Sequence, residues 1–388
     1  MRSIAIKMLF GDTAKFYGIL LGLSFATLLI AQQASIFVGL MSRTYALIEE
    51  TPQADLWVTD PTMQFVDDTK PMQVTALQRV RSVDGVGWAV PLFKGLLVAK
   101  LPSGSRQICD VVGVDDASLI GVPARMIKGD VSVLRKPDTI IIETRGARSR
   151  LAQPINPADP SGPKRPIEIG EELELNERRA VIGGIAETKP TFQNVPTIYT
   201  TYSRAIGFAP ANRRTLSMIL VKAAPGVSVT ELRDRIARET DLAVYTPHDF
   251  AWTTITYWMT QTGIPINFGI AIVLGFLVGV AIAGQMFYNF TLDNLKYFGA
   301  MKAMGATTPR LLGLVALQGA VAGVLGLGLG LGVTSIVGLA IPGDKLAFKM
   351  TWHIPVIAAA AVIFIVVASS LFSMRRVVQL DPSEVFQG

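Results

Sequence analysis

The sequence predicts an α-helical membrane protein of four transmembrane helices, with an α+β extracytoplasmic domain inserted between helices 1 and 2. Three observations carry this. The 388 residues are 50% apolar and only 17% charged, whereas charged residues make up about 25% of ordinary soluble domains. Four stretches, Phe16–Ser42, Phe250–Leu292, Leu311–Gly343 and Met350–Met374, contain no Asp, Glu, Lys or Arg. Each exceeds the roughly 20 residues that cross the hydrocarbon of a bilayer. Between the first two lies Arg43–Asp249, with 26 Lys/Arg and 25 Asp/Glu, the charge density of a domain in water.

The same composition excludes other classes. Abundant Leu, Ile, Val and Phe rule out a collagen-like or disordered chain. The single cysteine, Cys109, excludes a disulfide framework and a Cys-based zinc or iron–sulfur site. Two histidines, His248 and His353, leave little for a metal centre. A net charge of +6 would fit nucleic acid, but the 43–249 segment is nearly neutral. The surplus sits beside the spans, where topology accounts for it, so no nucleic-acid partner is expected.

In chain order, Ile4–Phe10 reads as an amphipathic arm, followed by a span over 16–41. Its apolar run is about twice a signal-peptide h-region and has no clear cleavage site after it, so it is expected to be retained. In the domain, Ala54–Asp60 alternates as a strand, and Val74–Val83 is helical, stopped at Asp84-Gly85. Phe93–Leu101 and Ile108–Val114 are strands around the turn Pro102-Ser103-Gly104, and Thr139–Glu143 is a short strand. Residues 156–166, crowded with proline, read as a surface loop. Glu172–Leu175 and Val181–Ala186 read as a hairpin, and Leu216–Lys222, Val229–Glu239 and Leu242–Thr246 as strand–helix–strand. Two strand–helix units thus flank a β-rich insertion. Cys109, in the apolar strand ICDVVGV, reads as a buried small hydrophobe. The acid pairs Asp67-Asp68 and Asp115-Asp116 read as solvated turns, and no catalytic constellation is present.

Trp252, Tyr257 and Trp258 read as an interfacial aromatic belt before a span over 265–290, which Gly263 and Pro265 open. Asn289–Met304 continues helically and is stopped by Gly305; Thr308 caps the next helix, with Pro309 in its first turn. This makes a defined corner rather than a slack loop. Spans over 311–340 and 354–373 follow. GLGLGLG, Gly326–Gly332, lies inside a span with no Lys-Ser/Thr after it, so it is a packing feature and not a phosphate loop. Gly18 and Gly22, Gly275 and Gly279, and Gly319, Gly323, Gly326 and Gly330 recur at helical spacing. They serve packing within the chain alone, or spans one and two, or three, also make a homodimer seam; four spans are few for a translocation path, which favours the dimer. Apart from His353, no ionisable residue lies within a span, unlike most ion-coupled transporters.

Positive residues flank the spans on one side: Arg2, Lys7 and Lys15; Lys296, Lys302 and Arg310; Arg375 and Arg376. Both termini are therefore expected in the cytoplasm, and 43–249 outside it. The expected domains are 1–42 (arm and helix 1), 43–249 (the α+β domain) and 250–388 (helices 2–4, the corner 289–305 and the tail).

A family enters at the corner. Leu295–Gly326, LKYFGAMKAMGATTPRLLGLVALQGAVAGVLG, resembles the signature of MacB/FtsX-type ABC transporter permeases, as does the tail LDPSEVFQG, Leu380–Gly388. Thr253–Phe298 resembles the DevC branch. The layout of one span, a domain of about 200 residues and three further spans is similar to the family's. The resemblance implies a non-catalytic permease of the bacterial inner membrane, paired with a second copy, a probable homodimer. It also implies a separate cytoplasmic ABC ATPase subunit that holds ATP and Mg; no cofactor is expected in this chain. Mechanotransmission would then drive export of a lipid, glycolipid or other amphiphile with a periplasmic adaptor and an outer-membrane channel. The residues that map to the family's coupling helix are Asp293, Lys296, Tyr297, Ala300, Met301, Lys302, Met304 and Gly305. A lipoprotein-releasing permease of the LolC/LolE kind, or an FtsX-like regulator of a periplasmic hydrolase, is the alternative.

Overall fold

A computed structural model describes residues 2–379, apart from 157, 158, 160, 161, 212–214 and 344. The tail motif at 380–388 lies outside the described residues. The chain forms two compact units, Met41–Thr262 and the flanking segments Met1–Leu40 with Gly263–Gly388.

The flanking unit begins with α1 (Arg2–Gly11) and α2 (Thr13–Thr44). The second unit then starts with α3 (Ala46–Glu50) and β1 (Leu56–Thr59), all four residues of which are buried. α4 (Thr75–Arg81) follows, and Gly85 takes φ +93° where the chain turns into β2 (Val86–Lys100). β3 (Arg106–Val114) pairs antiparallel with β2 across the Ser103-Gly104 turn. Next come β4 (Arg125–Lys128), β5 (Thr139–Glu143) and α5 (Thr144–Arg148), then a two-stranded ribbon of β6 (Gln153–Pro154), just before the expected proline loop, and β7 (Lys164–Arg165), within it. β8 (Glu172–Leu175) and β9 (Arg178–Glu187) form the expected hairpin, with Asn176 and Glu177 both at positive φ, as a two-residue turn needs. β10 (Thr197–Thr201), α6 (Tyr202–Phe208), β11 (Met218–Ala223), α7 (Val229–Thr240), β12 (Ala243–Tyr245) and α8 (Pro247–Gln261) complete it.

Two substructures share the long strand β2. The order β12–β1–β11–β2, antiparallel throughout, with α4 and α7 packed together, is a βαββαβ arrangement of ferredoxin-like type. Leu77 and Val80 of α4 and Leu232 and Ile236 of α7 bury against Leu56, Val58, Ile219 and Val221 of the sheet. The segment between β2 and β11 builds the rest. There β2–β3–β10–β5–β9 pair in sequence, and β8 bridges β9 back to β2, so the ladder closes on itself. Closure removes free edges. Cys109, Val111, Ile140, Ile142, Ile182 and Ile198 fill its apolar core.

α8 corrects one expectation. Thr246 caps it through the Asp249 N–H at 3.1 Å, and Pro247 sits in its first turn. Tyr257 stacks on Phe65 at 4.4 Å between ring centroids, and Trp258 lies 4.1 Å from Phe192. These aromatics belong to the α+β unit rather than to a free belt, so the boundary expected after Asp249 falls inside a helix that packs on that unit. Trp252 stays exposed.

The flanking unit resumes with α9 (Ile264–Asp293), α10 (Leu295–Ala303), α11 (Thr308–Ala340) and α12 (His353–Gln379). Among the described residues, α2, α9, α11 and α12 are the four helices long and apolar enough to cross a membrane, and they cover the four spans read from the sequence. Their shared core is Ile19, Leu23, Ala26, Ala283, Phe287, Ala322, Val362 and Ile365.

Candidate functional site

The corner between α9 and α11 is a preformed surface. Asn289–Met304 is two helices, not the single one expected. The break is at Asn294, whose side chain donates to the Phe290 carbonyl at 2.8 Å, the same oxygen that its backbone N–H reaches at 3.2 Å. Gly305 ends α10 as expected, at φ +90°. Its N–H donates to Lys302 O at 3.0 Å and the Ala306 N–H to Met301 O at 2.9 Å, the two bonds of a Schellman cap. Thr307, not Thr308, precedes the next helix, and Pro309 follows within its first turn.

Packing decides which of the expected contact residues face outward. Phe298 is fully buried against Leu311, Leu314 and Val315 of α11, with Met301 and Met8 packed on the same cluster. Met301 is half-buried and packs partly on that base. Lys296, Tyr297 and Met304 are exposed, Met304 to 80%. Gly305 is exposed too; Ala300 and Lys302 are half-exposed. Asp293 is exposed. It ion-pairs with Lys15 at the start of α2, and Lys15 also binds Asp12 at 2.7 Å. A carboxylate at the C-terminal end of α9 opposes the helix dipole, and the Lys15 ammonium offsets it. The arm joins the same base: Leu9 of α1 is fully buried with Phe16 and Leu20, against Val321.

All eight glycines of the small-residue stripes face helices of this chain. A Cβ at Gly18 or Gly22 would meet Met286 or Ile282 of α9 at 2.9 or 2.5 Å. Gly275 and Gly279 face Leu29 and Ala26 of α2; Gly326 and Gly330 face Leu23 and Thr27 of α2; Gly319 and Gly323 face Val366 of α12. Packing within the chain, common to both readings, is thus observed.

The α+β unit holds a second feature that the sequence reading missed. Lys94 on β2 and Asp110 on β3 are diagonal neighbours, since Leu96 pairs with Asp110 and Lys94 with Val112. Both are buried, and they form an ion pair that Asp67 completes at 3.0 Å from the Lys94 Nζ. Burial alone would lower the Lys94 ammonium, but Asp110 and Asp67 outweigh it and hold its pKa above the usual lysine range. Burial raises the Asp110 carboxyl, against the pull of Lys94. The signal was present in PLFKGLLV and ICDVVGV, each an apolar strand interrupted by one charge. Asp67 is therefore no solvated turn acid. Asp115 is half-exposed and Asp116 exposed, accepting from Ser118 and Ser203. His248 and His353 are exposed, and no group of three His, Cys, Asp or Glu placed to hold a metal occurs among the described residues.

With this geometry in place, similarity to known proteins is informative. The MacB-like periplasmic core domain family matches residues 18–239, and the FtsX-like permease C-terminal family matches 269–382. The chain belongs to the MacB/FtsX-type ABC transporter permeases. Within that family it is similar to an uncharacterized ABC transporter permease of Mycobacterium tuberculosis, 27% identical over 229 residues, 57% of this chain and 58% of the relative. The chain therefore spans less than two thirds of that relative's length. A second such permease of the same organism is 25% identical over 308 residues, covering 74% of this chain and 80% of the relative. Among solved structures, the periplasmic region of MacB from Actinobacillus actinomycetemcomitans matches with 9% identity and a TM-score of 0.36, over 53% of this chain and 96% of that one. The extracellular domain of the transporter YknZ from Gram-positive bacteria matches with 11% identity and a TM-score of 0.35, over 50% and 100%. The FtsX-like match contains the whole corner, α10 and its Schellman cap included; the MacB-like match contains Lys94 and Asp110.

Proposed function

We propose that this chain is the permease subunit of an ATP-driven exporter, and that the α9–α10–α11 corner receives a cytoplasmic ABC ATPase subunit. The observation that carries the reading is the corner itself. A short helix, locked beneath by Phe298 and capped at Gly305, presents Tyr297 and Met304 with Lys296 to solvent. Aromatic and Met side chains on a rigid base are what a protein interface uses as anchors. ATP and Mg belong to the partner, and ATPase closure would move α9 and α11 as levers joined by the α10 cap. The spans are charge-free helices closely packed through glycine, which suits mechanotransmission better than an ion-lined path.

In the same reading the chain lies in the bacterial inner membrane with both termini cytoplasmic, and it works with a second permease copy. A periplasmic adaptor and an outer-membrane channel follow from the DevC-like resemblance, and so does an amphiphilic cargo such as a lipid or glycolipid. Purification of the tagged chain in mild detergent, with mass spectrometry of what co-elutes, tests it. A stoichiometric ABC ATPase is the expected result, and an adaptor beside it supports the tripartite exporter. A cell-wall hydrolase, or lipoproteins without an adaptor, would move the assignment to the FtsX-like or LolC/LolE-like alternative. No ATPase in any preparation of folded protein would end the exporter reading.

A further inference from the structure

The Lys94 network floors a cavity of about 330 Å³ in the α+β unit. Its lining comes from the loop after β1 with Asp67 to Pro71, strands β2 and β3, the segment Thr191–Val195 before β10, and Thr215 with Ser217 before β11. The charges do not balance. Lys94 serves two carboxylates, Asp67 and Asp110, while Asp68 is already paired with Lys70 at 2.7 Å. One negative charge is left over, and it sits where burial makes it costly. Hydrogen-bonding capacity is left over in the same place. Among the described residues the Oδ1 of Asp110, a residue 3% exposed, has no donor, and the buried Thr191 hydroxyl has no partner. A buried acceptor without a donor calls for a partner, and a bound ammonium supplies one.

We propose that this cavity binds a small organic cation, an amine with a compact apolar body, whose ammonium supplies the charge and the donors that the Asp67–Lys94–Asp110 network lacks. An anion is disfavoured because both carboxylates already engage the one buried cation. A metal ion is disfavoured because no set of three ligating side chains converges there among the described residues. Pro71, Leu96 and Val195 supply apolar wall for the body of the ligand, and the volume falls in the range of small-molecule sites. This inference does not depend on the exporter reading, and either can fail without the other.

The test uses the full chain in lipid nanodiscs at neutral pH and an isosteric pair of probes, 2-phenylethylamine and 2-phenylethanol. Calorimetry or saturation-transfer NMR should show saturable binding of the amine and at least tenfold weaker binding of the alcohol. Asp110→Asn and Asp67→Asn should each weaken amine binding about tenfold or more, the value of one lost charge-assisted contact. Gln193→Trp alters only an exposed residue at the mouth and should block entry with the thermal transition unchanged, which keeps the test valid if Asp110→Asn folds poorly. Equal binding of amine and alcohol overturns the proposal. So does amine binding that Asp110→Asn and Gln193→Trp leave intact, or no saturable amine binding to folded protein.

Discussion

Cys109 shows how one residue can report on the whole α+β unit. It is fully buried inside the closed ladder, and burial pushes its thiol up to about 12. The thiolate is the reactive form, so alkylation of the folded chain should run about a thousandfold slower than that of a free cysteine; mass spectrometry of iodoacetamide adducts measures this. The pH dependence follows from the sign of the shift. The folded chain keeps a proton that the unfolded chain releases above about pH 8.5, so this residue's contribution is complete below that pH and is lost as pH rises. Cys109→Ala should flatten the fall of melting temperature in that alkaline range. Lys94 is the opposite case, a buried charge held by partners. Lys94→Ala leaves Asp67 and Asp110 facing each other uncompensated and should cost about 3–5 kcal/mol. Because those carboxylates would then favour their protonated forms, mild acid should restore part of the loss, as thermal unfolding against pH would show.

At the scale of elements, the spans and the corner make distinct predictions. A Cβ at Gly330 would lie 2.5 Å from that of Thr27 and 2.7 Å from the backbone oxygen of Ser24, whereas Gly328, two residues earlier in the same motif, has nothing within 4 Å. Gly330→Ala should therefore destabilise the helical unit by about 1–3 kcal/mol through overpacking, and Gly328→Ala should be tolerated. Melting in detergent followed by size-exclusion chromatography separates the two. In the corner, Gly305→Pro removes an N–H that binds Lys302 and demands a φ of about −65° where the chain has +90°. It should abolish capture of the ATPase while membrane insertion persists. Tyr297→Asp and Met304→Asp change only the exposed surface and should weaken capture without loss of stability. Asp293→Asn should leave capture unchanged, since Asp293 is engaged with Lys15 and such a partly exposed pair contributes less than about 1 kcal/mol.

For the whole molecule, the expectation to check is topology. With Cys109→Ala as background, the chain has no other cysteine, so single cysteines report sidedness cleanly. Ser103→Cys, in the turn after β2, should react with a membrane-impermeant maleimide in spheroplasts. Met304→Cys should react only after lysis. The reverse pattern would place the ATPase-receiving corner outside and remove the basis of the exporter reading.

The sequence by itself determined the number and place of the spans, because charge in hydrocarbon is costly and gaps in charge are visible residue by residue. It also determined most strands of the domain, though not β4 or the central β10, and the stop of the corner, where Gly305 and Pro309 act within a few residues of their own position. Periodicity gave Gly319, Gly323, Gly326 and Gly330 one shared face but not its occupant. Tertiary structure divides that face between α12 and α2. The closure of the barrel by β8, the pairing of Lys94 with Asp110 and Asp67, and the Lys15–Asp293 tie were likewise decided only in three dimensions. Each joins residues from different elements, some of them hundreds of residues apart, and depends on strand register and helix packing, which no local pattern in the chain encodes.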